Sequence, residues 1–363
     1  MRTIYFSEFK GPLSVVDLPI PKPTTTGVVI KVEATGLCRS DWHAWMGHDS
    51  DITLPHVPGH EFAGVISAIG EAVTKFAISD RVTVPFVCGC GACTYCLRGD
   101  AQVCPTQTQP GFTGFGSFAE YVAIDNADFN LINIPAEVSF ATAAALGCRF
   151  ATSYRGLVKR AKVQAGERVA IFGCGGVGLS AVMIAVAQGA NVFAIDINDA
   201  ALEIAASLGA QIINSQTTDP VAFLQNLGGA HIAVDALGSE ATAGASVLSL
   251  ARGGRHLQLG LLLTPTGQTA MPMARVIAWE LDLLGSHGMA ARDYPEMLAA
   301  VASGALNPSL LVAREVGLEA GAKALAGTGF HGINNQDSLG TWCVVNTASV
   351  NNPNPPSAND CNP

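Results

Sequence analysis

Short apolar runs rich in β-branched residues mark the first part of the chain. GVVIKVEA (27–34), FAGVISAI (62–69) and RVTVPFV (81–87) are each bounded by Gly, Pro or Asp, and they predict strands of a β-rich unit. After Ala151 the pattern changes to alternating strand and helix. Strands are predicted at 168–172, 191–195, 211–214, 232–235, 255–259 and 281–286, with helices at 177–188, 200–208 and 240–251. Such alternation specifies a doubly wound parallel sheet. From 287 to 325 the pattern is helical with short loops and is expected to rejoin the first unit. The resulting division is 1–150, 151–286, 287–333, and a tail at 334–363. With eight Asn and four Pro, the tail is expected to fray.

Composition narrows the class. Apolar residues are 49 % of the 363 and charged residues 13 %, which excludes a disordered chain. A net charge of -9 argues against a nucleic-acid partner, which calls for a basic face. A mean hydropathy of +0.33 raises the question of a membrane. The one candidate span is uncharged from Val169 to Ile195, but Gly173, Gly175, Gly176, Gly178 and Gly189 interrupt it and no basic cluster flanks it. A strand, a glycine turn, a buried helix and a second strand fit it better than a bilayer span. Charges at Arg2, Glu8 and Lys10 leave no signal-peptide core. The expectation is a cytoplasmic protein with reduced thiols and no membrane partner.

Gly173-Cys174-Gly175-Gly176-Val177-Gly178 reads G-x-G-x-x-G between an apolar strand and a helix. Its first glycine allows the tight turn, its second lets backbone approach a pyrophosphate, and its third permits close helix–strand packing. The helix N-terminus then offers amides to phosphate. Asp196 ends the next strand near the spacing of a ribose-binding acid. Its carboxylate would repel a 2′-phosphate by roughly 4 kcal/mol at 4 Å and an effective dielectric near 20. No cation follows closely to offset this, so NAD is favoured over NADP.

Ten cysteines are too dilute for a disulfide scaffold. Cys90, Cys93, Cys96 and Cys104 read C-x2-C-x2-C-x7-C, the signature of a closed, structural Zn²⁺ site. Local C-x-x-C redox chemistry would explain only two of the four. Cys88 is the spare thiol, since choosing it breaks the spacing. Cys38, His60 and Cys148 are a second, non-local set, grouped by the motifs around each residue and not by their spacings of 22 and 88 residues. Two thiolates and an imidazole leave a fourth position open, as catalytic zinc requires.

Gly59-His60-Glu61-Phe62-Ala63-Gly64, followed by Gly70 and Val73, resembles the zinc signature of zinc-containing alcohol dehydrogenases of the medium-chain dehydrogenase/reductase family. Cys38-Arg39-Ser40-Asp41-Trp42-His43, the four-cysteine loop, Gly147-Cys148 and the glycine turn follow in that family's order, over about residues 25–333. The resemblance implies a GroES-like catalytic domain split around a Rossmann domain, with two zinc ions per chain and NAD. It assigns the catalytic zinc to Cys38, His60 and Cys148, with Glu61 able to approach it during ligand exchange and Asp41 orienting His60. Zinc would acidify a bound alcohol, and a hydride would pass to the nicotinamide. Ser40 would take the alcohol proton and His43 would pass it to water by way of the cofactor ribose. The bland readings are a helix cap for Ser40 and a surface imidazole for His43.

Arg39 resembles the family's pyrophosphate contact, or else is a solvated cation. Phe86, Trp45 and Leu261 are candidates to line the alcohol pocket, with core packing the alternative for the aromatics. The short stretch from Cys104 to Cys148 is similar to the tetrameric branch, so a homotetramer is expected. After Gly332-Ile333 the chain departs from the family. Either 341–345 supplies the closing strand or that sheet edge is lost. The implied activity interconverts primary or secondary alcohols with aldehydes or ketones. A polyol or specialised-alcohol dehydrogenase is the near alternative, and a non-catalytic zinc- and dinucleotide-binding module the distant one.

Overall fold

Two sheets meet along a cleft. The computed structural model describes residues 1–262, 268–327 and 341–345. In the first sheet, the central strand Val28–Leu37 pairs antiparallel with Glu61–Ile69 and with Tyr121–Ile124, and Arg81–Thr83 and Ile132–Asn133 extend it. Alternate residues Val28, Ile30 and Val32 point into one apolar core with Phe62, Ile66, Val82 and Val122, the period of two expected of a strand. The predicted strand at 81–87 is shorter, ending at Thr83; Pro85 has no N–H to give a ladder.

The sheet's far edge is built from the end of the chain. Thr341–Val345 runs parallel to Val312–Val316 and antiparallel to Val28–Leu37. The closing strand therefore comes from inside the stretch expected to fray, and Val344 is buried in the core with Ile4, Leu37 and Phe118. The rest of that stretch lies outside the described residues.

The second sheet has six parallel strands in the spatial order Gln211–Asn214, Asn191–Asp196, Arg168–Phe172, Ala230–Asp235, Leu250–Gln258 and Asp282–Gly285. This is the doubly wound order of a Rossmann domain, with its switch point between the third and fourth strands of that series. The uncharged run resolves into strand Arg168–Phe172, helix Gly176–Ala187 and strand Asn191–Asp196. That helix is buried on nearly all sides, which explains its lack of charge. No helix among the described residues is long and apolar enough to cross a membrane.

Two short elements set the site. Strand Val28–Leu37 hands over at Cys38 to helix Arg39–Trp45. Further on, helix Phe140–Ala145 passes into a π-helical turn, Leu146–Phe150, which carries Cys148. Such turns widen a helix locally and recur at functional sites.

Candidate active site and zinc-binding clusters

Cys38, His60, Glu61 and Cys148 bring their ligand atoms within 4.8 Å of one another. His60 is fully buried; its Nδ1 lies 2.9 Å from Asp41 Oδ1. Its Nε2 finds no hydrogen-bond partner among the described residues. A buried, orphaned imidazole nitrogen beside two thiols suits a catalytic zinc site with three protein ligands. The Cys38 thiol is held well below its ordinary range, first by its hydrogen bond with Cys148 and then by His60.

Helix Arg39–Trp45 divides its residues by face. Asp41, Ala44 and Trp45 are buried, while Ser40 and His43 line the cleft with Arg39. Spacings of three and four residues put each set on one side. This corrects the expectation for Trp45, whose indole N–H donates to the Gly11 carbonyl at 2.9 Å and whose ring packs with Phe6, Ile52 and Phe112. Ser40 is not the helix cap either. Asp41 closes the first turn by accepting from the Cys38 N–H at 2.9 Å. His43 and the exposed His48 approach Nδ1 to Nδ1 at 2.9 Å, and burial lowers the pKa of His43.

Phe86 does line the cleft, edge-on to His60 at 6.0 Å between ring centroids, and Leu261 lies at its rim. Two neighbours had no sequence signal. Phe112 sits 5.0 Å from His60, and His287 stands edge-on to Phe86 at 5.1 Å. Both reach the cleft by long-range folding.

The glycine turn opens on the same cleft. Gly173 has φ +94°, and a Cβ on Gly178 would overlap the Gly173 carbonyl oxygen, so both positions require glycine. Asp196 accepts from the Cys174 N–H at 2.6 Å and from the Ile197 and Asn198 N–H groups at 2.7 and 2.9 Å. It therefore ties the turn to the end of the second strand.

A second cluster lies apart. Cys90 and Cys96 sulfurs are 4.0 Å apart and those of Cys93 and Cys104 3.7 Å, near the roughly 3.8 Å edge of a tetrahedron with Zn–S bonds of about 2.3 Å. The Ala92 and Cys93 N–H groups donate to Cys90 Sγ at 3.5 and 3.4 Å, and the Cys96 N–H donates to Cys93 Sγ at 3.4 Å. The Cys90 thiol is lowered to about 6, chiefly by the Ala92 N–H. Cys88 stays out of the cluster; burial pushes its thiol up to about 12.

Comparison with known proteins agrees with this geometry. The alcohol dehydrogenase GroES-like domain matches residues 24–136, and the zinc-binding dehydrogenase domain matches 176–303. An alcohol dehydrogenase of Geobacillus stearothermophilus is 35 % identical over 309 residues, covering 84 % of this chain and 90 % of that protein. The chain belongs to the zinc-containing alcohol dehydrogenase family. An alcohol dehydrogenase of Moraxella sp. (strain TAE123) is 37 % identical, covering 84 % of this chain and 89 % of its own. Among solved structures, the alcohol dehydrogenase of Thermus sp. ATN1 superposes with a TM-score of 0.86 at 29 % identity, covering 95 % of this chain and 99 % of that one.

As a zinc-dependent alcohol oxidoreductase, this family member has one further feature that its motifs do not announce. Arg149, next to Cys148, forms a buried ion pair with Glu61. Burial raises the Glu61 pKa while the guanidinium opposes that rise.

Proposed function

We propose that this zinc-containing alcohol dehydrogenase oxidises simple primary or secondary alcohols with NAD, and that each chain holds two zinc ions. The reading rests on one observation above the others: the orphaned His60 Nε2 faces Cys38 and Cys148 in the cleft that also receives the glycine turn. When bound there, zinc supplies Lewis acidity that favours loss of the alcohol proton. Cys38, His60 and Cys148 hold that ion, and Asp41 fixes the His60 ring so that Nε2 is the free nitrogen. Cys90, Cys93, Cys96 and Cys104 hold the structural ion.

Ser40 takes up the alcohol proton at its hydroxyl oxygen as it gives its own hydroxyl proton on toward His43, whose imidazole releases one to water. The lowered pKa of His43 keeps its imidazole neutral and able to accept at neutral pH. Arg39 and the amides of the turn from Gly173 through Val177 to Gly178 bind the pyrophosphate, and Asp196 excludes a 2′-phosphate. The names of two relatives, NAD-dependent alcohol dehydrogenases of Sulfurisphaera tokodaii and Saccharolobus solfataricus, support the choice of NAD. Phe86 and Phe112 beside His60 favour an apolar substituent over a polyol. A cytoplasmic homotetramer completes the reading; reduced thiols suit both clusters.

A panel of benzyl alcohol, ethanol and sorbitol, each with NAD and NADP and followed at the nicotinamide absorbance, tests this. Higher kcat/KM for benzyl alcohol or ethanol with NAD supports it. A large sorbitol preference would establish the polyol alternative instead.

A further inference from the structure

Arg149 is a buried cation between the metal cluster and the glycine turn, with 8 % of its surface exposed. Its backbone N–H and its Nε donate to Glu61 Oε1 at 3.2 and 3.1 Å, and its Nη2 donates to Glu61 Oε2 at 2.5 Å. Its remaining nitrogen, Nη1, donates to no residue among those described. The side chain lines the cleft.

Glycines clear the room for this pair. A Cβ on Gly36 would meet Glu61 Oε2, and one on Gly147 would lie 2.9 Å from Glu61 Cα. A Cβ on Gly176 would lie 2.5 Å from Arg149 Cδ and 3.1 Å from Nη1. Gly176 is the unexpected member of this set. The dinucleotide turn needs glycine at 173, 175 and 178, whereas 176 is one of its free positions. Packing of Arg149 against it explains why a side chain is missing there.

Nη1 consequently lies over the first residue of helix Gly176–Ala187, the end at which helix amides and the helix dipole favour an anion. The planar guanidinium suits this double duty. One edge is fixed on a carboxylate, so little freedom remains to be lost when the other edge takes an oxyanion.

We propose that Arg149 is a cofactor-binding residue: Glu61 grips one edge of its guanidinium, and Nη1 receives a pyrophosphate oxygen of the dinucleotide at the Gly176 turn. Glu61 is then a positioning residue for the cofactor, in addition to its place beside the metal ligands. This inference rests on the dinucleotide reading of the turn given under the proposed function.

Isothermal titration of the zinc-loaded protein with ADP-ribose and, separately, with adenosine tests it without turnover. The double variant Glu61→Gln/Arg149→Gln removes both charges together, so no unpaired ion is left buried. Its ADP-ribose affinity should fall at least tenfold while adenosine affinity stays within twofold of the parent. ADP-ribose affinity within threefold of the parent would overturn the proposal. If the double variant does not fold, Arg149→Lys carries the test, because it keeps the charge opposite Glu61 but cannot span both partners. A fivefold or greater loss for ADP-ribose alone is then expected, and a change within twofold overturns the proposal. Failure of the parent protein itself to bind ADP-ribose would instead sink the dinucleotide reading.

Discussion

Asp41 and His60 are both fully buried, and Asp41 Oδ1 lies 2.9 Å from His60 Nδ1. The same carboxylate accepts from the Gly59 N–H at 3.0 Å and from the Cys38 N–H at 2.9 Å. One side chain thereby fixes the His60 ring and the backbone at Cys38, two candidate metal ligands from different elements, a strand-to-helix junction and the start of the strand Glu61–Ile69. It also leaves His60 Nε2 as the nitrogen free to ligate.

Asp41→Asn replaces one of those acceptor oxygens by a donor. Zinc affinity at the cluster should drop about 10- to 100-fold. Zinc retained by the protein across a graded chelator series checks this; retention equal to the parent would contradict the role assigned to Asp41.

Cys148→Ala removes one thiolate from the cleft and leaves the glycine turn untouched. Alcohol turnover should vanish, zinc should fall from two ions per chain to one, and NADH binding followed by fluorescence should persist. Retained turnover would exclude Cys148 as a ligand.

The four-cysteine loop gives a paired contrast. Cys96→Ala should cost one zinc per chain and lower the melting temperature, since a structural site contributes its binding energy to folding. Cys88→Ala, though close in sequence, should leave the zinc content unchanged, because Cys88 is a buried thiol donating to the Pro85 carbonyl. Its cost is that of an ordinary core truncation, about 1 kcal/mol.

Buried histidines predict a pH dependence. His256 is buried between Ser246 Oγ at 2.6 Å and Gln258 Oε1 at 3.1 Å, and burial lowers its pKa. The unfolded chain therefore takes up this proton first as pH falls below about 6.5. The associated stability is fully present above that pH and declines toward the lower folded value. His256→Gln should flatten the fall in melting temperature between pH 7.5 and 5.5 relative to the parent (both pH values are about one unit from the reference pKa). Equal slopes would count against it.

What could be read from the chain was local. Strands Arg168–Phe172 and Gln211–Asn214 have the limits that their apolar runs predict, because glycine or a polar residue stops each run. The two-residue spacing of Cys90, Cys93 and Cys96 brings their sulfurs together within one loop. What was hidden came from tertiary contact. Glu61 and Arg149 are 88 positions apart and meet only because the π-helical turn packs on the strand carrying Glu61. An aromatic at position 45 fits either face of a short helix, and the period of the helix sends it to the core. The closing strand was masked by the Asn- and Pro-rich residues around it; its own short run, Thr341–Val345, pairs because the edges of Val28–Leu37 and Val312–Val316 are there to receive it.

The most direct measurement is the rate of NAD reduction by benzyl alcohol or ethanol in the intact protein, after removal of zinc by chelation, and after zinc is restored. Turnover that is present at the start, lost with the metal and recovered on its return is the predicted result. Turnover undiminished in fully zinc-free protein would contradict the assignment of Cys38, His60 and Cys148 as the reacting centre.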